Sequence, residues 1–158
     1  MMYVIGGGQS SQGALTMTGI GQAVPATPYR LAVCLHAWLI NSGWQSYGIF
    51  HHDSSVNKQA SLAVWNNNGG AITLATVYWS AGNETSWGSL GQNGRRMPDW
   101  LGIYDDGTTR FWQVSYDGLR WQTIASEART TGGLTAPTHG GVYASGGQEV
   151  TVWSFEIA

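Results

Sequence analysis

The sequence contains few charged residues. Lysine, arginine, aspartate and glutamate make up 10% of the 158 residues, and the net charge is −2, whereas about 25% of the residues in an average soluble protein are charged. The basic footprint of a nucleic-acid-binding protein is missing, so we expect no nucleic-acid partner. A neutral surface repels copies of itself only weakly, which favours self-association, and we expect a homo-oligomer.

Cysteine and long hydrophobic runs are also scarce. Cys34 is the single cysteine, so an internal disulfide is excluded. A small buried side chain is the better interpretation of Cys34, because nothing in the sequence places a base beside it. The opening residues, MMYVIGGG, have no basic region and only a very short apolar run. We therefore expect neither a signal peptide nor membrane insertion, and synthesis in a cytoplasm.

Glycine and tryptophan are abundant, with 23 and nine residues, beside only four prolines. Short alternating runs are separated by Gly, Asn, Ser and Asp, which is typical of an all-β protein with frequent turns. We predict one domain, a two-sheet antiparallel β-sandwich over residues 29–158. Residues 1–28 are predicted to be an uncharged Gly/Ser/Thr-rich arm with a possible first strand, either a flexible leader or an extended arm that pairs with a neighbouring subunit.

Residues 100–124 predict a three-stranded antiparallel meander. Two Asp-Gly pairs, Asp106-Gly107 and Asp117-Gly118, tolerate the positive φ of tight hairpin turns, and β-branched and aromatic residues flank both pairs. The strands alternate with a period of two, so one face is apolar enough to cover a core.

Further strands are predicted on both sides of this meander. Residues 31–40 are apolar on both faces, which indicates a central strand. Residues 47–52, 60–65 and 71–79 follow as strands, and in the final strand Trp153, Phe155 and Ile157 are predicted to share the core side. Residues 80–98 are predicted to be the longest irregular stretch, either a binding loop or a solvated connection, and contain the only adjacent basic pair, Arg95-Arg96.

The motif S-x-D-G-x-x-W at residues 115–121, with W-L-G-I at 100–103 and D-D-G-T at 105–108, resembles the concanavalin A-like lectin/glucanase superfamily. More narrowly, it looks like the jelly-roll modules of bacteriophage virion and tail proteins and the related laminin-G-like and DUF1349-type domains. Residues 25–39, 47–55 and 141–157 are similar to the family's early long strand, its strand and turn ending in Asp-Ser, and its closing strands. The resemblance implies a concanavalin A-like jelly roll.

Enzyme and metal chemistry find little support in the sequence. Glucanases of this superfamily typically carry E-x-D-x-x-E on one strand face, and that pattern is absent, so we expect no catalytic residues and no enzyme activity. His51, His52 and Asp53 form the densest group of metal ligands, with His36 or His139 as distant candidates. Adjacent histidines on a strand diverge, so we expect no metal and no cofactor.

Glycan binding fits the aromatic content better, because sugar rings stack on aromatic faces and sugar hydroxyls pair with polar side chains. The candidate residues are Trp44, Tyr47, Asn66, Asn83, Trp87, Arg110 and Trp112. The alternative is that these aromatic residues fill the core or a subunit interface.

Two functions follow from the resemblance and the composition. The first is a bacteriophage virion component, a capsid decoration or cement protein that self-associates, for example as a trimer, and bridges capsid subunits. The second is a lectin-like receptor-binding module of a head fibre or tail-fibre tip that binds host surface polysaccharide. Both imply residence on the virion after synthesis in the host cytoplasm.

Overall fold

The computed structural model describes residues 2–5, 17–37, 44–67, 72–81, 83–90, 97–146 and 149–158. The described residues are all-β, and none of them forms a helix that could cross a membrane. The strands are β1 (Met2–Ile5), β2 (Met17–Ala23), β3 (Tyr29–Ala37), β4 (Trp44–Asp53), β5 (Lys58–Asn67), β6 (Ile72–Ser80), β7 (Asn83–Ser89), β8 (Trp100–Asp105), β9 (Thr109–Ser115), β10 (Gln122–Ala128), β11 (His139–Ser145) and β12 (Glu149–Ile157).

The strands form two antiparallel sheets, so the predicted β-sandwich is confirmed. The six-stranded sheet has the order β1-β12-β3-β8-β9-β10, and the five-stranded sheet has the order β11-β4-β5-β6-β7. Strand β2 runs antiparallel beside β11, since Gly19 lies next to Val142 and Gly21 next to Gly140. Of residues 1–28, the structure describes 2–5 and 17–28, and most of these residues belong to strands β1 and β2.

Alternate residues of both sheets meet in the core between them. Leu31 and Val33 of β3 pack with residues such as Ile49, Leu62 and Trp112, all of which are fully buried. Strands such as β3, β5 and β8 contribute alternate residues to this layer, because side chains on a strand alternate between its faces. As predicted, β3 is central, and it lies between β12 and β8.

The predicted meander is the run β8, β9 and β10. Gly107 and Gly118 take φ values of 100° and 75°, as the Asp-Gly turns require. The carboxylate of Asp106 accepts hydrogen bonds from the amides of Thr108 and Thr109, and that of Asp117 accepts them from the two residues that follow Gly118. These aspartates act as structural residues of the turns.

Two of the predictions at the level of elements are wrong. Trp153 does not share the core side with Phe155 and Ile157, because a bulge between Val152 and Ser154 in the pairing of β12 with β3 turns Trp153 outward, where its side chain is 62% exposed. The predicted irregular stretch at residues 80–98 contains strand β7, which pairs with β6. Arg95 and Arg96 lie outside the described residues.

Candidate functional site

The outer face of the five-stranded sheet is aromatic, although the outer face of an antiparallel sheet is commonly solvated and polar. On β4, β5, β6 and β11, the residues that alternate with the core residues form a second apolar cluster, separate from the core. Its largest buried members are Phe50, Trp65, Trp79 and Tyr143. We refer to this surface as the aromatic face.

Small residues at the centre of the sheet make room for these rings. Ser61 and Ala63 of β5 are fully buried beneath the aromatic face. Trp79 of β6 and Tyr143 of β11 belong to strands with β4 and β5 between them, yet their ring centroids lie 5.5 Å apart. The indole Nε1 of Trp79 donates a hydrogen bond to Ser61 Oγ at 3.0 Å. Both rings therefore lie across the sheet instead of standing away from it.

Three tryptophans are packed together at one end of the aromatic face. Trp87 of β7 stacks on Trp65 with centroids 5.6 Å apart and planes at 14°, and Trp44 meets Trp65 edge-on at 6.2 Å. Trp65 is fully buried, whereas Trp44 and Trp87 are half-buried and keep part of their rings at the surface. The partly open rings provide apolar area for a ligand.

Several buried polar atoms on this face lack a hydrogen-bond partner among the described residues. They include Trp65 Nε1, Ser145 Oγ and Glu84 Oε2. Burial raises the pKa of Glu84, and it raises the pKa of the Tyr143 hydroxyl to about 12. These atoms are buried within the aromatic face and are not exposed at its surface.

A groove adjoins the aromatic face at the end of β4. It has a volume of about 560 Å³, and Phe50, His52, Asn57, Gln59 and His139 line it together with β2. The His52 and His139 rings lie 6.3 Å apart. Burial and the neighbouring His139 lower the pKa of His52, outweighing the opposite effect of Asp53, so His52 is neutral at pH 7. The groove therefore combines an aromatic wall with uncharged donors and acceptors.

Glycines of β2 let this strand approach Phe50. A Cβ atom at Gly19 would lie 2.9 Å from the Phe50 ring, and one at Gly21 would lie 3.1 Å from it. Both distances are shorter than nearly all real Cβ contacts, so a larger residue at either position would require the Phe50 ring or β2 to shift. The two glycines thus define the edge of the groove.

The candidate glycan-binding residues lie in several different places. Trp44 and Trp87 both pack against Trp65 on the aromatic face, and Asn83 is exposed at the start of β7. Tyr47, Asn66, Arg110 and Trp112 are buried, with Tyr47 and Trp112 in the core. The odd-numbered and even-numbered residues of a strand face opposite sides, which separates Tyr47 from Trp44.

The remaining residues of the aromatic face were not identified from the sequence. Phe50 and Gln59 belong to strands that were predicted, on the side opposite to the core. The sequence does contain a signal for this face. These strands are apolar on both faces, and since only one face of a sheet packs on the core, the apolar residues on the other face need a second partner.

Charged side chains are also buried, at one end of the sandwich. Arg110 pairs with Glu127, and Arg129 Nε donates to Asp105 Oδ2 at 2.8 Å. The Tyr29 hydroxyl lies 3.2 Å from His51 Nε2 and 3.4 Å from Asp105 Oδ2. Each carboxylate is therefore held by an arginine, an arrangement that links strands and loops inside the sandwich.

Metal ligands do not gather in the part of the chain that is described, where no three His, Cys, Asp or Glu side chains are arranged to hold an ion. His51 is fully buried and points inward, whereas His52 lines the outer groove. The carboxylate of Asp53 is engaged with Ser55, Thr135 and Ala136.

No protein-family model and no curated protein matches the chain. Solved structures resemble it at low identity. The GH43 protein BlXynB from Bacillus licheniformis has a TM-score of 0.68 and 15% identity, over 98% of this chain and 32% of that chain. The CBM2 module of the evolved Dit of Lactobacillus casei BL23 phage J-1 has a TM-score of 0.53 and 12% identity, over 89% and 66%. An ancestral congerin has a TM-score of 0.50 and 12% identity, over 90% and 98%.

These likenesses concern the fold. The chain corresponds to 32% of the BlXynB chain, so that protein's activity does not transfer to it. The narrower resemblance to phage virion modules and DUF1349-type domains stays a prediction. The chain shares a jelly-roll-like β-sandwich with GH43 and congerin structures and with a module of a phage protein.

Proposed function

We propose that the chain is a lectin-like glycan-binding module and that the aromatic face with its groove is the binding surface. The observation that carries this proposal is the placement of aromatic rings, two of them partly open, and of a groove with uncharged polar side chains on the side of a sheet that the core does not use. Ligand sites in proteins are mostly apolar and aromatic surfaces with a few well-placed polar groups.

The groove is suited to a neutral sugar. A pyranose ring presents a C–H face, which packs on the ring of Phe50, and hydroxyls, which pair with Gln59, Asn57 and neutral His52. The partly open ring of Trp87, outside the groove, offers a second stacking surface on the same face to a longer oligosaccharide. A volume of about 560 Å³ falls within the range of about 300–1,000 Å³ that is usual for ligand pockets. The fold of the phage CBM2 module and of congerin is compatible with this use.

Substitution of Trp87 and Gln59 tests this proposal. In titrations with neutral oligosaccharides selected on a glycan array, Trp87→Ala and Gln59→Ala should each weaken binding by about tenfold, the loss expected for one well-placed contact. Trp153→Ala is the matched control, because it removes an exposed tryptophan from the other sheet and should leave the affinity unchanged. The proposal fails if no neutral glycan binds, or if all three variants bind as the parent does.

A virion role is the second proposal, and it is compatible with the first. Exposed apolar side chains on the side of the six-stranded sheet favour self-association or docking: Leu119, Trp153 and Tyr116 are 85%, 62% and 48% exposed. We propose that copies of the chain bridge subunits of a phage capsid, or present the glycan-binding face from a fibre. Isolated, salt-washed virions should retain the chain in lattice stoichiometry, and its absence from the particles would contradict the proposal.

A further inference from the structure

The outer face of the other sheet holds a second groove, of about 310 Å³, on the far side of the sandwich from the aromatic face. Ala32 of β3 forms part of its floor and is paired with Gly102 of β8. Trp100, Tyr104 and Trp121 form its walls.

Gly102 allows Trp121 to form a wall of this groove. A Cβ atom at position 102 would lie 2.5 Å from Cζ3 of the Trp121 ring, so the ring rests on the bare backbone. Trp100 meets Trp121 edge-on, with ring centroids 6.4 Å apart. The missing side chain at Gly102 and the two tryptophans together create the groove.

Arg30 is held in a fixed orientation in this groove. Its guanidinium carbon lies 5.3 Å from the Trp121 ring centroid and 5.8 Å from that of Tyr104. Its Nε donates to Gln113 Oε1 at 3.0 Å, and the Gln113 amide nitrogen is in turn fixed by Thr123. The terminal nitrogens of Arg30 have no acceptor among the described residues, so the planar fork is oriented before a ligand arrives.

Glu156 lies on the same groove, where Ser154 Oγ donates to its carboxylate at 3.0 Å. Because Arg30 and Glu156 line the same groove, three classes of ligand, namely phosphate, neutral sugars and carboxylated sugars, should bind there with different strength. A simple phosphate gains nothing from the aromatic walls, and it has no hydroxyl-bearing ring with which to offset the repulsion that Glu156 exerts on any anion. A neutral sugar does not need the charge of Arg30. A carboxylated sugar uses all the groups: its carboxylate binds the arginine fork, its hydroxyls donate to Glu156, and its ring contacts the tryptophans.

We propose that this second groove binds a sugar carboxylate, such as that of a uronic acid or a sialic acid residue. The groove is spatially separate from the aromatic face, so the two sites are independent. A volume of about 310 Å³ is at the lower end of the usual range for ligand sites, about 300–1,000 Å³, and suits one monosaccharide residue.

The test uses trigalacturonate, its methyl ester, triglucuronate and sialyllactose as probes. Binding is followed by NMR through the indole signals of Trp100 and Trp121 and the Arg30 Nε signal. At least one acidic sugar should shift these three signals, and where that sugar is trigalacturonate the ester should bind about tenfold more weakly, as expected for the loss of a charge-assisted hydrogen bond. The inference is overturned if no acidic sugar shifts them at millimolar concentration, or if acid and ester bind equally.

Variants separate the contributions of charge and shape. Arg30→Gln should weaken binding of the acidic probe about tenfold or more, and Arg30→Lys should weaken it several-fold, because an ammonium group cannot reproduce the stacked fork. Gly102→Ala should displace Trp121 and weaken binding with Arg30 unchanged. Arg120→Gln removes an exposed charge that does not line the groove and should have little effect.

The melting temperature of each variant verifies that it is folded. Unchanged affinity in folded Arg30→Gln or Gly102→Ala would overturn the inference. Binding of neutral glycans at the aromatic face should survive Arg30→Gln, and binding of acidic sugars should survive Trp87→Ala. Failure of one proposal is therefore distinguishable from failure of the other.

Discussion

At the residue scale, Asp53 connects distant parts of the chain. Its fully buried carboxylate accepts hydrogen bonds from the amides of Ser55, Thr135 and Ala136 and from two hydroxyls. Burial alone would raise the pKa of Asp53, but these hydrogen bonds outweigh burial and hold the pKa well below its usual range. The end of β4 and the loop before β11 are thereby fixed beside the groove that contains His52.

Asp53→Asn should lower the free energy of unfolding by about 1–3 kcal/mol, because an amide group replaces an acceptor oxygen and faces N–H donors. Urea unfolding at pH 7 measures the change. Asp106→Asn provides the control, since Asp106 caps a turn in a similar way but is exposed, and its loss should be clearly smaller. Equal losses in the two variants would contradict the structural role assigned to Asp53.

The sequence could not reveal this role of Asp53. In the sequence, Asp53 stands beside two histidines, which suggests a metal ligand. Its actual partners, Thr135 and Ala136, lie more than eighty positions away along the chain. Arg110 was a surface candidate for the same reason: its partner Glu127 belongs to the next strand, and only the fold brings the two together. Local patterns cannot indicate pairing across such separations.

At the element scale, β12 illustrates how one bulge changes a face. Strict alternation predicted that Trp153 would share the core side with Phe155. The extra residue between Val152 and Ser154 shifts the register, so Val152 and Phe155 both reach the core and Trp153 points to solvent. A bulge has no reliable sequence signature, and this assignment needed the observed pairing.

Alanine substitution at the two positions tests the bulge. Trp153→Ala should change the free energy of unfolding by less than about 0.5 kcal/mol, as is usual for an exposed position. Phe155→Ala should cost about 2 kcal/mol or more, because it removes a ring packed against the core. Chemical denaturation compares the two variants. A larger loss for Trp153→Ala would mean that the register of β12 is different.

Strand β7 was missed because its composition is polar. The sequence NETSWGS lacks the apolar alternation that predicted β5 and β6, and its residues are largely half-buried or exposed at the edge of the sheet. Pairing with β6 holds it in place, with a register shift between Tyr78 and Trp79. Backbone pairing at the edge of a sheet does not require an apolar pattern, so the sequence does not indicate this strand. Its pairing with β6 positions Trp87 and Glu84.

At the scale of the whole molecule, the sandwich encloses an uncharged histidine. His51 is fully buried, and burial together with the positive charges of Arg110 and Arg129 lowers its pKa well below the ordinary value of 6.5. Below pH 6.5 the unfolded chain therefore binds a proton that the folded chain does not. The contribution of neutral His51 to the free energy of unfolding is fully present above pH 6.5 and falls as the pH decreases. The contribution of Asp53 is lost only below about pH 4.

The free energy of unfolding should therefore fall by about 1.4 kcal/mol per pH unit between pH 6.5 and pH 5 for the extra proton that the unfolded chain binds at His51, with a further contribution from His52, whose pKa is also lowered. His51→Gln should reduce this slope to the part that His52 contributes, whatever its effect on stability at pH 7. His36→Gln is the control, since His36 is exposed, and should keep the slope. A parent protein whose stability is flat over this range would contradict the account of His51.

The overall fold was predictable because its signals are repeated along the chain. Glycine-rich turns, alternation in β3 to β6, and the Asp-Gly hairpins all indicate a sandwich, and each is a local property. The aromatic face cannot be predicted from local sequence patterns. It depends on the strand register, which aligns Ser46 with Trp65 and Trp79 with Glu84 on neighbouring strands. Trp44 and Trp87 were identified by residue type alone, and their contact with Trp65 follows from the fold.

The most direct test of glycan binding at the aromatic face is an NMR titration of the isotope-labelled chain with a neutral oligosaccharide selected on an array. The account predicts that the indole signals of Trp44, Trp65 and Trp87 and the side-chain amide signals of Gln59 and Asn57 shift together, and that the signal of Trp153 does not move. Shifts confined to the six-stranded sheet, or no shift with any neutral glycan, would contradict it.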